Sequence, residues 1–332
     1  MRLYWWVLPL VLSFSLSASA QQTNEQSAAV TQRLSTMIES LRKLDYSGNF
    51  TFERSGQMQS LHIAHRMSDG VEQERILFLD GRYREIIRNG HQVSCVHTGQ
   101  KLITYNEQFP ETGFVGAKSL SAKFADYYRA VYSGHDRVAN RDVVVITVEP
   151  KDPYRHGYQF FLDREFNIPL RSILFNANSK ILERFQFVDI NFAPVTLAMV
   201  SASDSAAVVS HPHQKQALRN NPLSVNVRPQ WLPLGFTLAE TGIDNVAGMG
   251  AEVTTYSDGL ATLSVVVEPI TSSEANNLDV EGKARLGGTV ALTRTAFIAQ
   301  QGFLITVVGE VPFITAAKVA RSVSLQYNDD AK

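Results

Sequence analysis

The chain has 332 residues and only one cysteine, Cys95. A single thiol has no partner within the chain, so an internal disulfide is excluded and stability must come from burial and strand pairing. The local pattern Val93-Ser94-Cys95-Val96 favours a small buried side chain over a reactive thiol at this position.

An excess of charge of either sign is also lacking. The sequence contains 31 Lys and Arg against 32 Asp and Glu, a formal net charge of −1. Such a balance argues against nucleic acid as the main partner.

The longest apolar run, at 3–16, is too short to span a bilayer comfortably. Arg2 precedes it and the small residues Ala18-Ser19-Ala20 follow it, which is typical of a secretory signal peptide over 1–20. We therefore expect an exported, soluble protein whose mature chain begins at Gln21. The alternative is an uncleaved anchor, with Trp5 and Trp6 at the membrane interface.

Motifs that carry chemistry are nearly absent. The sequence contains no G-x-S-x-G, H-E-x-x-H, P-loop or dinucleotide fingerprint after a predicted strand. His62 and His65 would point to opposite faces of a strand, and His211 and His213 have no further ligand nearby in sequence. We expect no catalytic residues, no metal, no cofactor and no enzyme activity. The alternative is an enzyme whose catalytic residues are distant in sequence and come together only in the folded chain.

Hydrophobic periodicity predicts an α+β protein. Apolar residues at 30, 34, 37, 41 and 44 indicate an amphipathic helix, and period-two alternation then predicts strands at 76–79, 83–87, 91–97 and 102–105. A second helix is predicted over 122–132, with Gly134 as its stop. Further strands are predicted at 143–148 and 158–163, followed by a hairpin over 169–190.

A change of composition divides the chain. Residues 193–226 are rich in Ala, Ser, Asn and Pro, which indicates a linker with little reason to pack. We therefore predict a first domain over 21–192 and a second over 227–332. The second domain is predicted to have strands at 252–256, 261–268, 289–293 and 303–309, and a helix that begins at Pro312.

The first domain offers apolar surface. A curled antiparallel sheet with few covering helices leaves a concavity, for which we predict a lipid groove. The residues assigned to it are Phe50, Phe52, Leu61, Ile63, Leu77 and Leu79. The alternative, for any one of them, is plain core.

Six short stretches of the sequence carry a resemblance to a known family. In the first domain they are YQFFLD at 158–163, IPLR at 168–171 and ILERFQF at 181–187; in the second, WLPLGF at 231–236, YSDG at 256–259 and GEVP at 309–312. Together, in this order and across the whole mature chain, they resemble the RseB/MucB family of periplasmic regulators of the sigma-E stress response.

The resemblance implies a LolA/LolB-like β half-barrel with helices, followed by a smaller C-terminal α/β domain. It also implies a function: binding the periplasmic segment of an RseA/MucA-type anti-sigma factor, shielding it from regulated proteolysis, and releasing it when lipid or lipopolysaccharide fragments bind. The alternative is a periplasmic carrier of lipid or lipoprotein. The resemblance does not specify the lipid, and both a monomer and a homo-oligomer are compatible with it.

The residues of a partner site cannot be transferred from the family position by position. Arg and large aromatic side chains at a domain junction are the usual anchors for an extended peptide. On that physical ground we predict Trp231, Tyr256 and Arg285 as partner-binding residues. Trp231 could equally pack the core of the second domain.

Overall fold

The computed structural model describes residues 15–90, 92–97, 103–106, 120, 123–203, 225–246, 249–270, 281–298 and 301–327. Within them, the first part of the chain forms three helices and eleven strands. These are α1 (Ser15–Lys43), β1 (Tyr46–Arg54), β2 (Gln57–Ser68), β3 (Val71–Phe78), β4 (Arg84–Asn89), β5 (Gln92–His97), β6 (Ile103–Asn106), α2 (Phe124–Tyr127), β7 (Tyr128–Val138), β8 (Arg141–Pro150), β9 (Gly157–Asp163), β10 (Pro169–Phe175), β11 (Ile181–Phe187) and α3 (Leu197–Val200).

The eleven strands form one antiparallel sheet in the order β6-β5-β4-β3-β2-β1-β11-β10-β9-β8-β7. Two meanders meet where β1 pairs with β11, which places Phe50 beside Phe187 and Phe52 beside Phe185. Helix α1 packs on this sheet through Val30, Leu34 and Met37, all fully buried. The predicted helix and its apolar face are confirmed.

The second helix was predicted wrongly. Only Phe124–Tyr127 is helical, and Tyr128–Val138 forms strand β7 along the edge of the sheet. Pairing with β8 buries Tyr128 and Ala130, and this tertiary gain outweighs the helical spacing of the local sequence. Gly134 lies at a register shift in β7 with φ of 122°, rather than at the end of a helix.

The start of the predicted linker is packed. Val195 and Val200 form a small buried cluster with Ala64 of β2, and the backbone N–H of Ser203 donates to Glu85 Oε1 at 3.1 Å. The expectation that this segment has little reason to pack is therefore wrong for 193–203. Residues 204–224, including His211 and His213, lie outside the described residues.

The described residues of the second part of the chain form eight strands and one helix. These are β12 (Val225–Pro229), β13 (Thr237–Val246), β14 (Met249–Ser257), β15 (Thr262–Ile270), β16 (Gly282–Leu286), β17 (Thr289–Ile298), β18 (Gln301–Gly309), α4 (Phe313–Ser322) and β19 (Val323–Tyr327).

Six of these strands form an antiparallel sheet in the order β13-β14-β15-β18-β17-β16, and β12 pairs separately with β19. Helix α4 begins after Pro312, as predicted, and its buried residues Ala316, Val319 and Ala320 pack into the core of this sheet. A large antiparallel sheet with a helix and a smaller C-terminal domain are thus both present, and the predicted fold class is confirmed. Within the described part of the chain, no helix combines the length and apolar character needed to cross a bilayer.

Candidate functional site

The residues predicted to line a lipid groove fall into two sets. Strand register places Phe50 opposite Leu61, and Ile63 opposite Ile76, on the face that forms the core of the first sheet. Phe50, Leu61 and Ile63 are 5%, 6% and 1% exposed, so protein already covers them.

Phe52 is half-buried at the margin of this core, and the guanidinium carbon of Arg54 lies 5.1 Å from the centre of its ring. Leu77 pairs with His62 and therefore lies on the opposite face from Leu61 and Ile63, where alternation also places the exposed Leu79. The six residues do not line a single concavity. A lipid-binding role for the four on the inner face stays a prediction.

The two histidines of the H-x-x-H pattern have separate partners. His62 Nδ1 lies 2.9 Å from Asn49 Oδ1, whereas the buried His65 lies 2.8 Å from the carbonyl oxygen of Leu44 and 3.3 Å from Glu72. Their opposite orientation is the one that strand geometry predicts. The described residues contain no cluster of three or more side chains suited to a metal ion.

Two of the three predicted partner-binding residues contribute to packing. Tyr256 is buried in the core of the second sheet. Trp231 is half-buried against the same core and makes an edge contact with Tyr154 of the first part of the chain, at 4.9 Å between ring centres. Arg285 is exposed on β16, a strand at the edge of its sheet.

The two domains are in contact at several places. Thr315 of α4 donates to the carbonyl oxygen of Tyr154 at 2.7 Å, and two further contacts are made by reverse turns of the second sheet. The first, which we call the Asp258 turn, comprises residues 257–260 between β14 and β15. Its backbone is held locally, because Asp258 Oδ1 accepts the N–H groups of Leu260 and Ala261 at 2.9 and 2.8 Å. Leu260 is 4% exposed and packs in the cluster formed by α1 and the first sheet.

Buried charge fixes the Asp258 turn to the first domain. Asp258 Oδ2 accepts Arg155 Nη1 at 2.7 Å and the Tyr128 hydroxyl at 3.1 Å. Arg155 also donates to the carbonyl oxygen of Leu234 at 2.6 Å and forms an ion pair with Asp152 at 3.0 Å. Both Arg155 and Asp258 are 1% exposed, so the pair is desolvated but fully hydrogen-bonded.

Protonation in this cluster follows from its burial. Desolvation raises the pKa of the Asp258 carboxyl, and the Arg155 charge opposes that rise. Burial and the adjacent carboxylate raise the pKa of the Tyr128 phenol well above its ordinary value. Tyr128 therefore stays a hydroxyl donor to Asp258.

The second contact, which we call the Gly287 turn, comprises residues 286–289 between β16 and β17. The N–H of Gly287 donates to Ser55 Oγ at 2.8 Å, and the N–H of Gly288 donates to Glu183 Oε1 at 2.9 Å. Gly287 has a φ of 62°, and a Cβ on it would clash with Glu183 Oε1. The positive φ, together with the close approach of the Glu183 and Arg54 side chains, favours glycine at this position.

Titratable groups surround the Gly287 turn. Burial, with the nearby charge of Glu183, raises the pKa of Glu310 to about 8. Burial lowers the pKa of His156 to about 4, and the positive charge of Arg285 contributes to that fall. At neutral pH, therefore, His156 is an uncharged ring and Glu310 is mostly an uncharged acid.

Most of the residues that join the two domains were not predicted from the sequence. Arg155, Asp258, Glu183 and Glu310 were not assigned to any site, although YSDG and GEVP were among the stretches that looked familiar. Asp258-Gly259 was a recognisable turn signal. No local pattern indicates that Arg155, 103 positions earlier, is its partner.

Comparison with known proteins gives a consistent result over both domains. The family model for the MucB/RseB N-terminal domain matches residues 29–221, and that for the MucB/RseB C-terminal domain matches residues 222–324. The Sigma factor AlgU regulatory protein MucB of Pseudomonas aeruginosa is 32% identical over 304 residues, which cover 90% of this chain and 92% of that protein.

The Sigma-E factor regulatory protein RseB of Escherichia coli K12 is 27% identical, over 97% of this chain and 98% of that protein. Among solved structures, MucB in complex with MucA(peri) has a TM-score of 0.68 and 30% identity, and the match covers 90% of this chain and all of that one. A structure of MucB alone gives a TM-score of 0.65.

Proposed function

The chain belongs to the MucB/RseB family, and on that basis we propose that it is a periplasmic regulator of the envelope stress response. In this proposal it binds the periplasmic segment of an RseA/MucA-type anti-sigma factor and shields that segment from regulated proteolysis. The observation that carries the proposal is the likeness, over both domains, to MucB solved with the periplasmic part of MucA.

The junction supplies what such a regulator needs. Two folded domains that meet at two separate turns can bind a peptide in one relative arrangement and lose it in another. Arg285 lies beside the Gly287 turn and is exposed, so it is the predicted anchor still accessible to a partner. Trp231 and Tyr256 would reach a partner only if their present packing changed.

Release by lipid is the second part of the proposal. A lipid releases the partner only if it binds better to the arrangement that holds the partner less well. The inner face around Phe52 supports a lipid site, because Phe52 is half-buried whereas its neighbours Phe50 and Leu61 are covered. An acyl chain would enter at this margin.

The test is a titration of the full mature chain into a labelled peptide that corresponds to the periplasmic segment of an RseA/MucA-type protein. Arg285→Ala should weaken binding by about tenfold, which is the loss of one good anchor. Lys283→Ala, an exposed cation two residues away on the same strand, is the matched control. Absence of binding by the wild-type chain would overturn the proposal.

A second titration adds purified lipopolysaccharide. If lipid and peptide favour different arrangements, each must lower the affinity for the other by the same factor, ordinarily about 5- to 150-fold. Equal peptide affinity with lipopolysaccharide demonstrably bound would refute release by lipid. Binding of lipid without binding of peptide would favour the carrier.

A further inference from the structure

The Gly287 turn brings together one carboxyl group from each domain. Glu183 belongs to β11 of the first sheet, and its Oε1 accepts the N–H of Gly288. Glu310 directly follows β18 of the second sheet, and a Cβ on Gly288 would lie 3.3 Å from its Cγ. The two acids therefore flank the same glycine across the domain boundary.

The neighbouring groups neutralise little of the negative charge that Glu183 and Glu310 carry when ionised. The Tyr158 hydroxyl on β9 donates to Glu310 Oε1 at 3.3 Å, and the charge of Arg54 on β1 acts on both carboxyl groups. The Arg54 guanidinium itself lies over the ring of Phe52. His156 contacts the backbone of Gly288 and Val311, and the positive charge of Arg285 acts on its ring.

We infer that the Gly287 turn is a protonation-dependent latch between the domains, closed while the Glu310 carboxyl is protonated and weakened when Glu183 and Glu310 are both ionised. Two carboxylates confined near one glycine repel each other, whereas a protonated carboxyl is neutral. The inference concerns the domain arrangement of the free protein and does not rest on the proposed function.

The direction of the pH effect follows from Glu310, Glu183 and His156. Burial raises the pKa of Glu183 as it raises that of Glu310, so these two carboxyl groups act in the same direction. The pKa of Glu310 is about 8 with the latch closed against an ordinary value of 4.5, so the closed arrangement loses stability as pH rises from about 4.5 to 8. The pKa of His156 is about 4 against an ordinary 6.5, so His156 has the opposite effect between those values. Above about pH 6.5 the opposing effect of His156 has ended, and the latch should loosen.

Hydrogen exchange at Gly287 and Gly288 tests this, because both amides donate across the boundary. In the full mature chain, their protection, corrected for the intrinsic exchange rate, should fall between pH 6.5 and 8.5 by up to about tenfold for each pH unit. Glu310→Gln keeps the shape of the side chain without its charge, and its protection should stay constant over this range. Glu281→Gln, an exposed carboxylate beside β16, should retain the wild-type profile.

Constant protection in the wild-type chain would overturn the inference, as would a Glu310→Gln profile that matches the wild type. If circular dichroism shows that Glu310→Gln is unfolded, Glu183→Gln decides the question. Removing the charge of Glu183 should lower the pKa of Glu310, so amide protection should stop falling at a lower pH than in the wild-type chain. An unchanged profile would overturn the inference. The anti-sigma peptide is absent throughout, so the outcome is independent of the proposed function.

Discussion

The two turns that join the domains are built in contrasting ways. In the Asp258 turn the side chains of Asp258 and Leu260 are buried, and the Asp258 carboxylate accepts four donors, two from each domain. The Gly287 turn is held by two backbone N–H groups and is flanked by two carboxyl groups, which repel each other when both are ionised. The first contact has its charges compensated, and the second does not.

The two contacts should therefore differ in how much free energy is needed to break them and in how that free energy changes with pH. A buried ion pair with all its donors and acceptors satisfied is costly to break, because each charge is then left without its full set of partners. A contact that contains a perturbed carboxyl group changes its free energy with pH over the range in which that group titrates. We therefore expect the Asp258 turn to act as the permanent attachment and the Gly287 turn as the adjustable one.

The largest effect should come from Asp258→Ala. The change leaves the buried Arg155 guanidinium with only Asp152 as its ionic partner in this cluster, and breaking one side of a buried pair costs about 3–5 kcal/mol. Chemical denaturation monitored by circular dichroism measures the loss. Glu149→Ala, which removes an exposed ion pair with Arg129, should cost less than about 1 kcal/mol. Similar costs for both variants would show that the Asp258 turn is not a special attachment.

Leu260→Ala should have the next largest effect. Its side chain comes from the second sheet but is buried among residues of α1 and the first sheet, so truncation leaves a cavity costing about 2–4 kcal/mol. Denaturation of this variant can be compared with that of Leu238→Ala, a change at a leucine 60% exposed in the same domain. Equal stability of the two variants would contradict a packing role for Leu260 at the junction.

Gly287→Ala should have the smallest effect on stability and the most local one. The new Cβ meets Glu183 and Arg54 and also strains a left-handed backbone, at an expected cost of about 1–2 kcal/mol. Gly70 has a similar positive φ, and no atom lies within 4 Å of the position that a Cβ would take there, so Gly70→Ala measures the backbone strain alone. Hydrogen exchange should show lost protection at Gly288 only in Gly287→Ala. Loss in both variants would mean that the contact across the boundary is not the cause.

Prediction from the sequence failed mainly for strands at the edge of a sheet, although the edge strand β6 was predicted. Interior strands such as β9, β15 and β18 were predicted, because neighbours on both sides select apolar and β-branched residues. Of the described strands, those that were missed or taken for a helix were β7, β12, β13, β16 and β19, and each lies at a sheet edge. An edge strand has one partner and often carries polar residues, so its pattern is weak.

The candidate site was less predictable for a related reason. The predicted groove combined Phe50, Leu61 and Ile63, which lie on one apolar face, with Leu77 and Leu79 from the opposite face, and the apolar pattern of the first three also arises in packed core. Arg155 and Glu310 show no periodicity, and their roles depend on partners more than 100 residues away in sequence. Only the three-dimensional fold brings such pairs together.

The pairing of β12 with β19 has a consequence for the order of folding. These strands are the first and last of the second domain, with Val225 opposite Tyr327, so about a hundred residues must be made before the pair can form. Contacts of such high sequence separation form late, because loop closure costs entropy before any contact compensates for it. The second domain thus cannot complete its fold until its final strand has emerged, whereas the meander from β1 to β6 can form while synthesis continues.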